Sequence, residues 1–298
     1  MNKNNKSNIK RIGGALLIMF FLFLLFLIQG ENETLIETET SIATDEPATE
    51  VATKVAIELE TAVDTTSAPL WAEADGDFDY YTLALSWQPT FCETRSNKPE
   101  CVTQTSDRYD ATNFALHGLW PNQQDDPSHS FAYCEQPESI INQDHGDWCE
   151  MPPLSLSDTI AADLQVYMPG TASCLQNHEW YKHGVCADMS DDAYFALTNA
   201  LVASFSQTEF NQTIANHIGE EVSRRDLLNQ FEDEFGSGTD DYLSLRCADI
   251  DGVSTLSEIQ LVLKKNMDDV SDFSPLFPTE TVRPQGNCPQ QFMIDGAG

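Results

Sequence analysis

Positive charge is scarce in this 298-residue chain, which has 15 lysines and arginines against 48 acidic residues and a formal net charge of −33. The deficit persists in residues 76–298, which contain 36 acidic and ten basic residues. Such a surface repels polyanions over long range, whereas nucleic-acid-binding modules attract the phosphate backbone with lysine and arginine. The composition therefore argues against a nucleic-acid-binding module. It still permits an enzyme that needs only a local cationic pocket.

Acidic residues are absent from residues 1–30, where four basic residues precede an unbroken apolar run from Ile12 to Ile28. A basic flank followed by an apolar core is typical of a secretory signal or an N-terminal membrane anchor. The run of 17 residues is at the short end of what spans a bilayer. Residues 27–30 make a poor cleavage site, so a cleaved signal and an uncleaved anchor both stay open. Either predicts an exported protein, periplasmic or extracellular, and the anchor would tether it to the membrane.

Aromatic residues and apolar periodicity are scarce in residues 31–75, which are rich in Glu, Thr, Ala and Ser. Such a segment buries too little apolar surface to offset its ordering entropy, which predicts an acidic, disordered tether. Residues 76–298 contain no internal repeat and no second linker, and are long enough for one domain with a substantial core. We expect that domain to act as a monomer.

Two common site signatures are also missing. No Gly-x-Ser-x-Gly is present, which argues against a serine hydrolase of the nucleophile-elbow type. No two of the eight cysteines are separated by two residues, which argues against a structural zinc site. All eight lie in residues 76–298, and an even count behind an export signal predicts disulfides. Spacing alone leaves their connectivity open, although Cys92 and Cys101 are close enough for a local loop.

The order of apolar patterns predicts an α+β domain. Strands are expected at 80–86, 242–247, 259–263 and 291–294, with His117 on or at the end of another strand. Helices are expected at 158–168, around 178, at 191–205 and from 223 to 236, and residues 122–153 are expected to form a long loop. Strands at both ends with helices clustered in the middle favour a central, largely antiparallel sheet.

Two short segments concentrate groups that move protons. His178, Glu179, Lys182 and His183 fall within six residues, and on a helix they would share one broad face. His117 begins a separate segment, His117-Gly118-Leu119-Trp120-Pro121. Two imidazoles could supply a base and an acid, and the lysine could stabilise a phosphorane-like transition state. These residues predict metal-free phosphoryl transfer on RNA, which brings its own nucleophile, the 2′-hydroxyl.

A zinc hydrolase is the first alternative. The zinc-protease motif His-Glu-x-x-His has histidines four residues apart, whereas His178 and His183 are five apart. Lys182 would also oppose a cation beside His183. A tethered binding or inhibitory protein without turnover is the second alternative, and the presence of His117, Lys182 and His183 argues against it. No cofactor is expected.

The segments 117–121 and 178–186 resemble the two active-site segments of the RNase T2 family of secreted ribonucleases. Further similarity to its periplasmic bacterial members lies in Leu83–Pro89 with Phe91-Cys92, in Ser223–Asp226, and in Gly286-Asn287-Cys288 with Phe292. The resemblance covers about residues 77–298. It implies an endoribonuclease that cleaves single-stranded RNA through a 2′,3′-cyclic phosphate to 3′-phosphate products, with low base specificity.

The resemblance also implies roles for individual residues. His183 would be the base and His117 the acid, while Glu179 and Lys182 would position and stabilise the phosphate. The implied substrate contacts are His178 on the phosphate, Trp120 as a base-stacking wall, Asn122 and Gln88. The implied disulfides are Cys134–Cys186, Cys92–Cys101 and Cys247–Cys288, with Cys149–Cys174 as the remainder. Dense negative charge should favour protonated histidines and a mildly acidic optimum.

Overall fold

The computed structural model describes residues 69–71, 76–124, 131–279 and 283–298, all of which fall in one compact unit of residues 64–298. The expected leader, residues 1–30, and the expected tether, apart from residues 69–71, lie outside the described part. Among the described residues no helix is long and apolar enough to cross a membrane.

A six-stranded sheet forms the frame of the molecule. Its strands are β1 (Tyr80–Ser86), β2 (Ala115–Asn122), β3 (Glu221–Ser223), β4 (Leu243–Ile250), β5 (Val253–Lys264) and β6 (Gln291–Met293). The strand order is β2-β1-β5-β6-β3, and β4 also pairs with β5. Every pairing is antiparallel except the short parallel contact between β5 and β6. The predicted largely antiparallel sheet is therefore confirmed.

Eight helices are described, and most of them lie between β2 and β4 in the chain. They are α1 (Gln88–Thr94), α2 (Pro99–Val102), α3 (Glu138–Asp144), α4 (Asp158–Tyr167), α5 (Leu175–Lys182), α6 (Asp191–Ser206), α7 (Glu209–Asn216) and α8 (Arg224–Phe235). The clustering of helices in mid-chain is confirmed, as is the α+β class. The long loop expected over 122–153 is partly wrong, because α3 and a 3₁₀ turn at Trp148–Glu150 form within it.

Local sequence explains the ends of the longer helices. Ser190 and Ser223 precede α6 and α8, and their hydroxyls accept from the backbone N–H groups of Ala193 and Asp226. These bonds satisfy donors that the first turn of a helix leaves unpaired. Gly236 follows α8 with a φ of 112°, a conformation that few other residues tolerate.

The core fills the space between the sheet and the helices. Tyr81, Leu83 and Leu85 of β1 are fully buried, as are Tyr194 and Phe205 of α6. The hydroxyl of Tyr194 donates to the carbonyl of Leu119 at 2.6 Å, which ties α6 to β2 beside His117. Burying each large apolar side chain contributes about 1.5–3 kcal/mol, so this core holds β2 firmly in place.

Four disulfides join Cys92 to Cys101, Cys134 to Cys186, Cys149 to Cys174, and Cys247 to Cys288. These are the pairs that the family resemblance implies. Two of them bracket α5, because Cys174 immediately precedes the helix and Cys186 follows it by four residues. Disulfides form and persist in oxidising compartments, so the bonds indicate a protein exported from the cytoplasm.

Candidate active site

A polar cleft of about 690 Å³ lies between α5 and the sheet. It collects the side chains that the two sequence segments predict, together with cationic residues from β4 and the C-terminal segment. Its lining includes His117, Trp120, Asn122, His178, Glu179, Lys182, His183, Arg246 and Arg283. The fold thus joins β2 and α5, which are about 60 residues apart in the chain, at one site.

His117 stands at a β-bulge. The register of β2 against β1 shifts between Leu116 and Gly118, so His117 is an extra residue without a partner in the ladder. Bulges bend a strand and re-aim a side chain. The ring of His117 turns one nitrogen, Nδ1, to Glu258 Oε2 at 2.7 Å and the other, Nε2, toward Glu179 Oε1 at 3.7 Å.

The carboxylates around His117 favour its protonated form. Partial burial by itself would lower the pKa of the imidazole, but the hydrogen bond to Glu258 and the charges of Glu179 and Glu258 outweigh it. The pKa of His117 is raised to about 9. The pKa of Glu258 is lowered: burial opposes the charge, but the bond to His117 wins. His117 is therefore suited to donate a proton at neutral pH.

Glu179 is buried at the floor of the cleft. Its Oε2 accepts from the indole N–H of Trp120 at 2.8 Å, and its Oε1 lies within 4 Å of the Nε2 atoms of both His117 and His178. Burial raises the pKa of Glu179, against the opposing influence of these histidines. The close approach requires Gly118, because a Cβ at that position would overlap the Glu179 carboxylate and the Trp120 nitrogen.

Asp144 and Trp148 hold the ring of His178 in place. Its Nδ1 lies 2.8 Å and 2.9 Å from the two carboxylate oxygens of Asp144, and its ring stacks on Trp148 with centroids 4.6 Å apart. A carboxylate partner at Nδ1 fixes the ring and turns Nε2 toward the cleft. His178 thus directs Nε2 into the cleft, where it can donate to an anion when the ring is protonated.

The surroundings of His183 shift its pKa in the direction opposite to that of His117. It caps the C-terminal end of α5, and burial together with the charges of Lys182, His178 and His117 holds its pKa well below the ordinary value. Its ring packs 5.3 Å from the Trp120 ring, which also lies 5.3 Å from the His117 ring. His183 is therefore neutral at neutral pH and able to accept a proton.

Of the four expected substrate contacts, His178, Trp120 and Asn122 line the cleft and Gln88 does not. Trp120 packs against the rings of His117 and His183, and Asn122 lies at the end of β2. The amide of Asn122 donates to the Thr82 hydroxyl at 3.1 Å and to the Trp120 carbonyl at 2.8 Å. Gln88 lies apart from this cleft: it is buried on α1 and lines a second cavity of about 440 Å³.

His117 lines both cavities, and scarce positive charge gathers around them. The cleft has Lys182, Arg246 and Arg283, and the second cavity has Arg95 and Lys98. Five of the ten basic residues of 76–298 therefore line these two cavities. Three carboxylates, Glu100, Glu179 and Glu258, line the same cavities, so the five cations leave a small local excess of positive charge in a chain that is acidic overall.

The roles of Glu258, Asp144 and Gly118 in the site could not be inferred from the sequence. Glu258 is the single acid of β5 and belongs to no motif, and Asp144 belongs to a segment that reads as a loop. Gly118 lies inside a recognised motif, but its spacing gives no sign that a carboxylate must approach it. The only signal for Glu258 is its position among buried residues, where an unpaired charge is costly.

Metal ligands are a separate question, because imidazoles and carboxylates also bind zinc. Within residues 76–124, 131–279 and 283–298, no group of three or more His, Cys, Asp or Glu side chains is arranged to hold a metal ion. His117 and His178 each direct Nδ1 to a carboxylate, and Lys182 adds a cation to the same cleft.

The fold and the cleft define a class: a disulfide-bonded α+β protein whose polar cleft gathers three imidazoles, a carboxylate and an ammonium group. Residues 78–273 match the Ribonuclease T2 family. Ribonuclease I of Escherichia coli is 32% identical over 249 residues, which span 77% of this chain and 90% of that protein. The chain belongs to the Ribonuclease T2 family and is a T2-type endoribonuclease.

More distant relatives align over shorter stretches. Intracellular ribonuclease LX of Solanum lycopersicum is 28% identical over 123 residues, or 40% of this chain and 45% of that protein. Among solved structures, the Nicotiana alata SF11-RNase, associated with self-incompatibility, superposes with a TM-score of 0.48 at 20% identity. That match covers 74% of this chain and 98% of the SF11-RNase chain.

Proposed function

We propose that this protein cleaves single-stranded RNA without a metal ion, by attack of the 2′-hydroxyl on the adjacent phosphorus. The observation that carries the proposal is the His117–His183 pair. Both rings line one cleft and pack against Trp120, while their surroundings move their pKa values in opposite directions. Two titratable groups with pKa values pushed apart are typical of a general acid and a general base.

In the first step, neutral His183 accepts the proton of the 2′-hydroxyl as that oxygen bonds to phosphorus. The bond from phosphorus to the 5′-oxygen breaks, and His117 donates its Nε2 proton to the leaving oxygen. The products are a 2′,3′-cyclic phosphate and a new 5′-hydroxyl. In the second step His117 takes a proton from water as the water oxygen bonds to phosphorus. The bond from phosphorus to the 2′-oxygen breaks, His183 returns its proton to that oxygen, and a 3′-phosphate results.

Three further residues would act on the phosphate. Lys182 would compensate the negative charge that grows on the phosphoryl oxygens, and His178 would donate from Nε2. Glu179 would position the phosphate by orienting the rings of His117 and His178, whose Nε2 atoms both lie within 4 Å of its Oε1. Since RNA supplies the nucleophile and imidazole supplies the base, neither step needs a metal-activated water.

The two cavities suggest where the bases lie. His117 lines both, so the scissile phosphate at His117 would place one nucleoside in the cleft and the next in the second cavity. Trp120 offers an aromatic surface in the cleft, with Asn122 beside it, and Gln88 lines the second cavity. Stacking suits any base because every base has a π-face, which supports low base specificity.

The test is digestion of four short RNAs, one for each base 5′ of the cleaved bond, by the purified chain in excess chelator. We expect cyclic phosphate ends from all four RNAs, identified by mass. His183→Ala and His117→Ala should each lower the rate by about 10²–10⁴-fold, the usual contribution of a general acid or base. His217→Ala is the matched control, since His217 caps α7 and bonds the Thr213 carbonyl.

Near-wild-type rates in His117→Ala or His183→Ala would reject the assigned roles. Cleavage that appears only after zinc is added would reject metal independence. A folded, oxidised chain that binds RNA without cleaving it would favour the binding-protein alternative. A rate that differs more than tenfold among the four RNAs would reject low base specificity.

We also propose that residues 12–28 direct a monomeric domain to the periplasm or the cell exterior, either as a cleaved signal or as a membrane anchor. The four disulfides support export. Fractionation of producing cells, with the N-terminal sequence and the mass of the isolated protein, separates the two forms. Activity confined to the cytoplasm would reject both.

A further inference from the structure

We propose that Glu258 is a positioning residue for the cleavage reaction: its carboxylate holds Nδ1 of His117 so that Nε2 alone presents a proton to the leaving oxygen. The inference rests on the proposed role of His117 as the acid. Glu258 lies on β5, 141 residues beyond His117, inside the region that matches the family but outside the short motifs that carry the resemblance.

The sheet brings the two residues together across a middle strand. On β1, Ser86 pairs with Ala115 of β2 on one side and with Glu258 of β5 on the other. Ser86 is small, so a longer side chain from β5 can extend over β1 toward β2. The bulge at His117 completes the contact, and the resulting distance from Nδ1 to Glu258 Oε2 is 2.7 Å.

A register shift in β5 and the side chains of Gln260 and Arg246 hold the Glu258 carboxylate in place. The register of β5 against β4 shifts next to Glu258, with Arg246 opposite Glu258 and Cys247 opposite Leu256. The other oxygen of Glu258, Oε1, accepts from Gln260 Nε2 at 2.7 Å and lies 3.9 Å from Arg246 Nε. The Glu258 side chain is only 15% exposed. With both oxygens engaged, the carboxylate has one orientation, and it points at His117.

This orientation determines which nitrogen of His117 reacts. When His117 donates the proton on Nε2, the remaining proton stays on Nδ1, where the carboxylate accepts its hydrogen bond. The neutral ring is therefore left with a free Nε2, which can activate water in the second step. Without Glu258, the neutral ring could hold its proton on either nitrogen and could rotate, since its side chain is 35% exposed.

The charged groups facing His117 come from several elements and oppose one another. Glu179 on α5 and Glu258 on β5 favour the imidazolium, while Lys182 on α5 disfavours it. The titratable and charged groups that line the two cavities with His117 are Glu179, Lys182, His178, His183, Glu258, Arg246, Arg283, Arg95, Lys98 and Glu100. Loss of the Glu258 charge leaves the cations in place, so His117 should hold its proton less tightly.

The test compares Glu258→Gln with the wild-type chain over pH 4–10, with kcat/KM measured for RNA cleavage to the cyclic phosphate. The substitution keeps the shape of the side chain and removes its charge. The alkaline limb of the profile, where His117 loses its proton, should move to lower pH by roughly one to three units, the usual influence of one adjacent opposite charge. On the acid side of the shifted limb the rate should fall less than on the alkaline side, because the ring of His117 is still protonated there but is held less firmly.

Glu221→Gln is the matched control, because Glu221 is exposed on β3 and its substitution changes the net charge equally. Its profile should overlie that of the wild type. The ring nitrogens of His117, identified by the signals that vanish in His117→Ala, should titrate at lower pH in Glu258→Gln by NMR. Gln260→Ala should move the limb in the same direction by less.

A uniform loss of rate at every pH, with the alkaline limb unmoved, would overturn the proposal and assign Glu258 a purely structural role. An unchanged His117 titration by NMR would overturn it as well. Failure of the proposed function is a distinct result: the wild-type chain would then give no cyclic phosphate, while the NMR titration would still report whether Glu258 controls His117.

Discussion

Gly118 matters because it has no side chain. It lies between His117 and Trp120 in sequence, and the space that a Cβ would fill is taken by the Glu179 carboxylate. Glycine inside a strand weakens it, so its presence here marks a close approach of another group. The approach lets one carboxylate lie within 4 Å of both His117 and His178 while it accepts from Trp120.

We expect Gly118→Ala to lower kcat/KM for RNA by at least about 100-fold, because a displaced Glu179 can no longer serve both imidazoles. The fold should survive, since the added methyl displaces side-chain atoms of Glu179 and Trp120. Steady-state kinetics and thermal unfolding of the same samples check this. Gly146→Ala is the control, because the nearest atom to a Cβ there is the carbonyl oxygen of Gln143, near the end of α3, at 3.3 Å. A fully active Gly118→Ala enzyme would show that the position of Glu179 is unimportant.

The pKa values of His117 and His183 refine the expected pH dependence. Composition alone predicts a mildly acidic optimum. The surroundings of His183 lower its pKa, so the base stays neutral, and active, down to pH values well below the ordinary range. The acid, His117, stays protonated until the pH rises through about 9. The active range should therefore include acidic pH and continue through neutrality.

Helix α5 is the element that concentrates the chemistry. It is only eight residues long, and a helix of that length is marginal without tertiary support. The support comes from disulfides on both sides, Cys149–Cys174 before the helix and Cys134–Cys186 after it. The backbone N–H of Tyr133, next to Cys134, also donates to the carbonyl of Lys182 at 2.7 Å.

Replacement of both Cys134 and Cys186 by serine should therefore affect the site more than the core. The bond closes a loop of 52 residues, and its loss should lower the free energy of unfolding by about 2–5 kcal/mol. Urea unfolding measures that loss, and RNA cleavage at a temperature where the variant is fully folded measures the site. The same change at Cys247 and Cys288 is the comparison, since that bond joins β4 to the C-terminal segment. Equal losses of activity in both variants would contradict a special role for the bond beside α5.

At the scale of the whole molecule, overall charge and local charge oppose each other. The chain has a net charge of −33, yet five of the ten basic residues of 76–298 line the two cavities at His117. Long-range repulsion acts on a long RNA more than on a short one, because a long RNA carries many phosphates near the acidic surface. Salt screens this repulsion, with a Debye length of about 10 Å at 0.1 M.

We therefore expect kcat/KM for a long RNA, divided by kcat/KM for a dinucleotide, to rise as salt increases from about 10 to 150 mM. An enzyme that attracts RNA by its overall charge would give the opposite trend. Initial rates for the two substrates, measured side by side, give the ratio. A ratio that falls with salt would show that the five cations around the two cavities dominate even at long range.

Sequence by itself determined the parts of this protein that depend on neighbouring residues. Spacing predicted a helix for the segment around His178, and that helix puts His178, Glu179 and Lys182 in one cleft. A run rich in aromatic and apolar residues predicted β1, and the even number of cysteines behind an export signal predicted disulfides. The segments 117–121 and 178–186 were enough to suggest the family. The family inference rests on a resemblance and the others on spacing or composition, and a single sequence displays all of these.

Tertiary structure decided what depends on residues far apart in the chain. The partners of His117 and His178, which are Glu258 and Asp144, lie 141 and 34 residues away, and no spacing rule connects them. The pKa of an imidazole follows from its burial and from the charges around it, which exist only after the chain has folded. The opposite tendencies of His117 and His183 are therefore properties of the fold, although both residues are visible in the sequence.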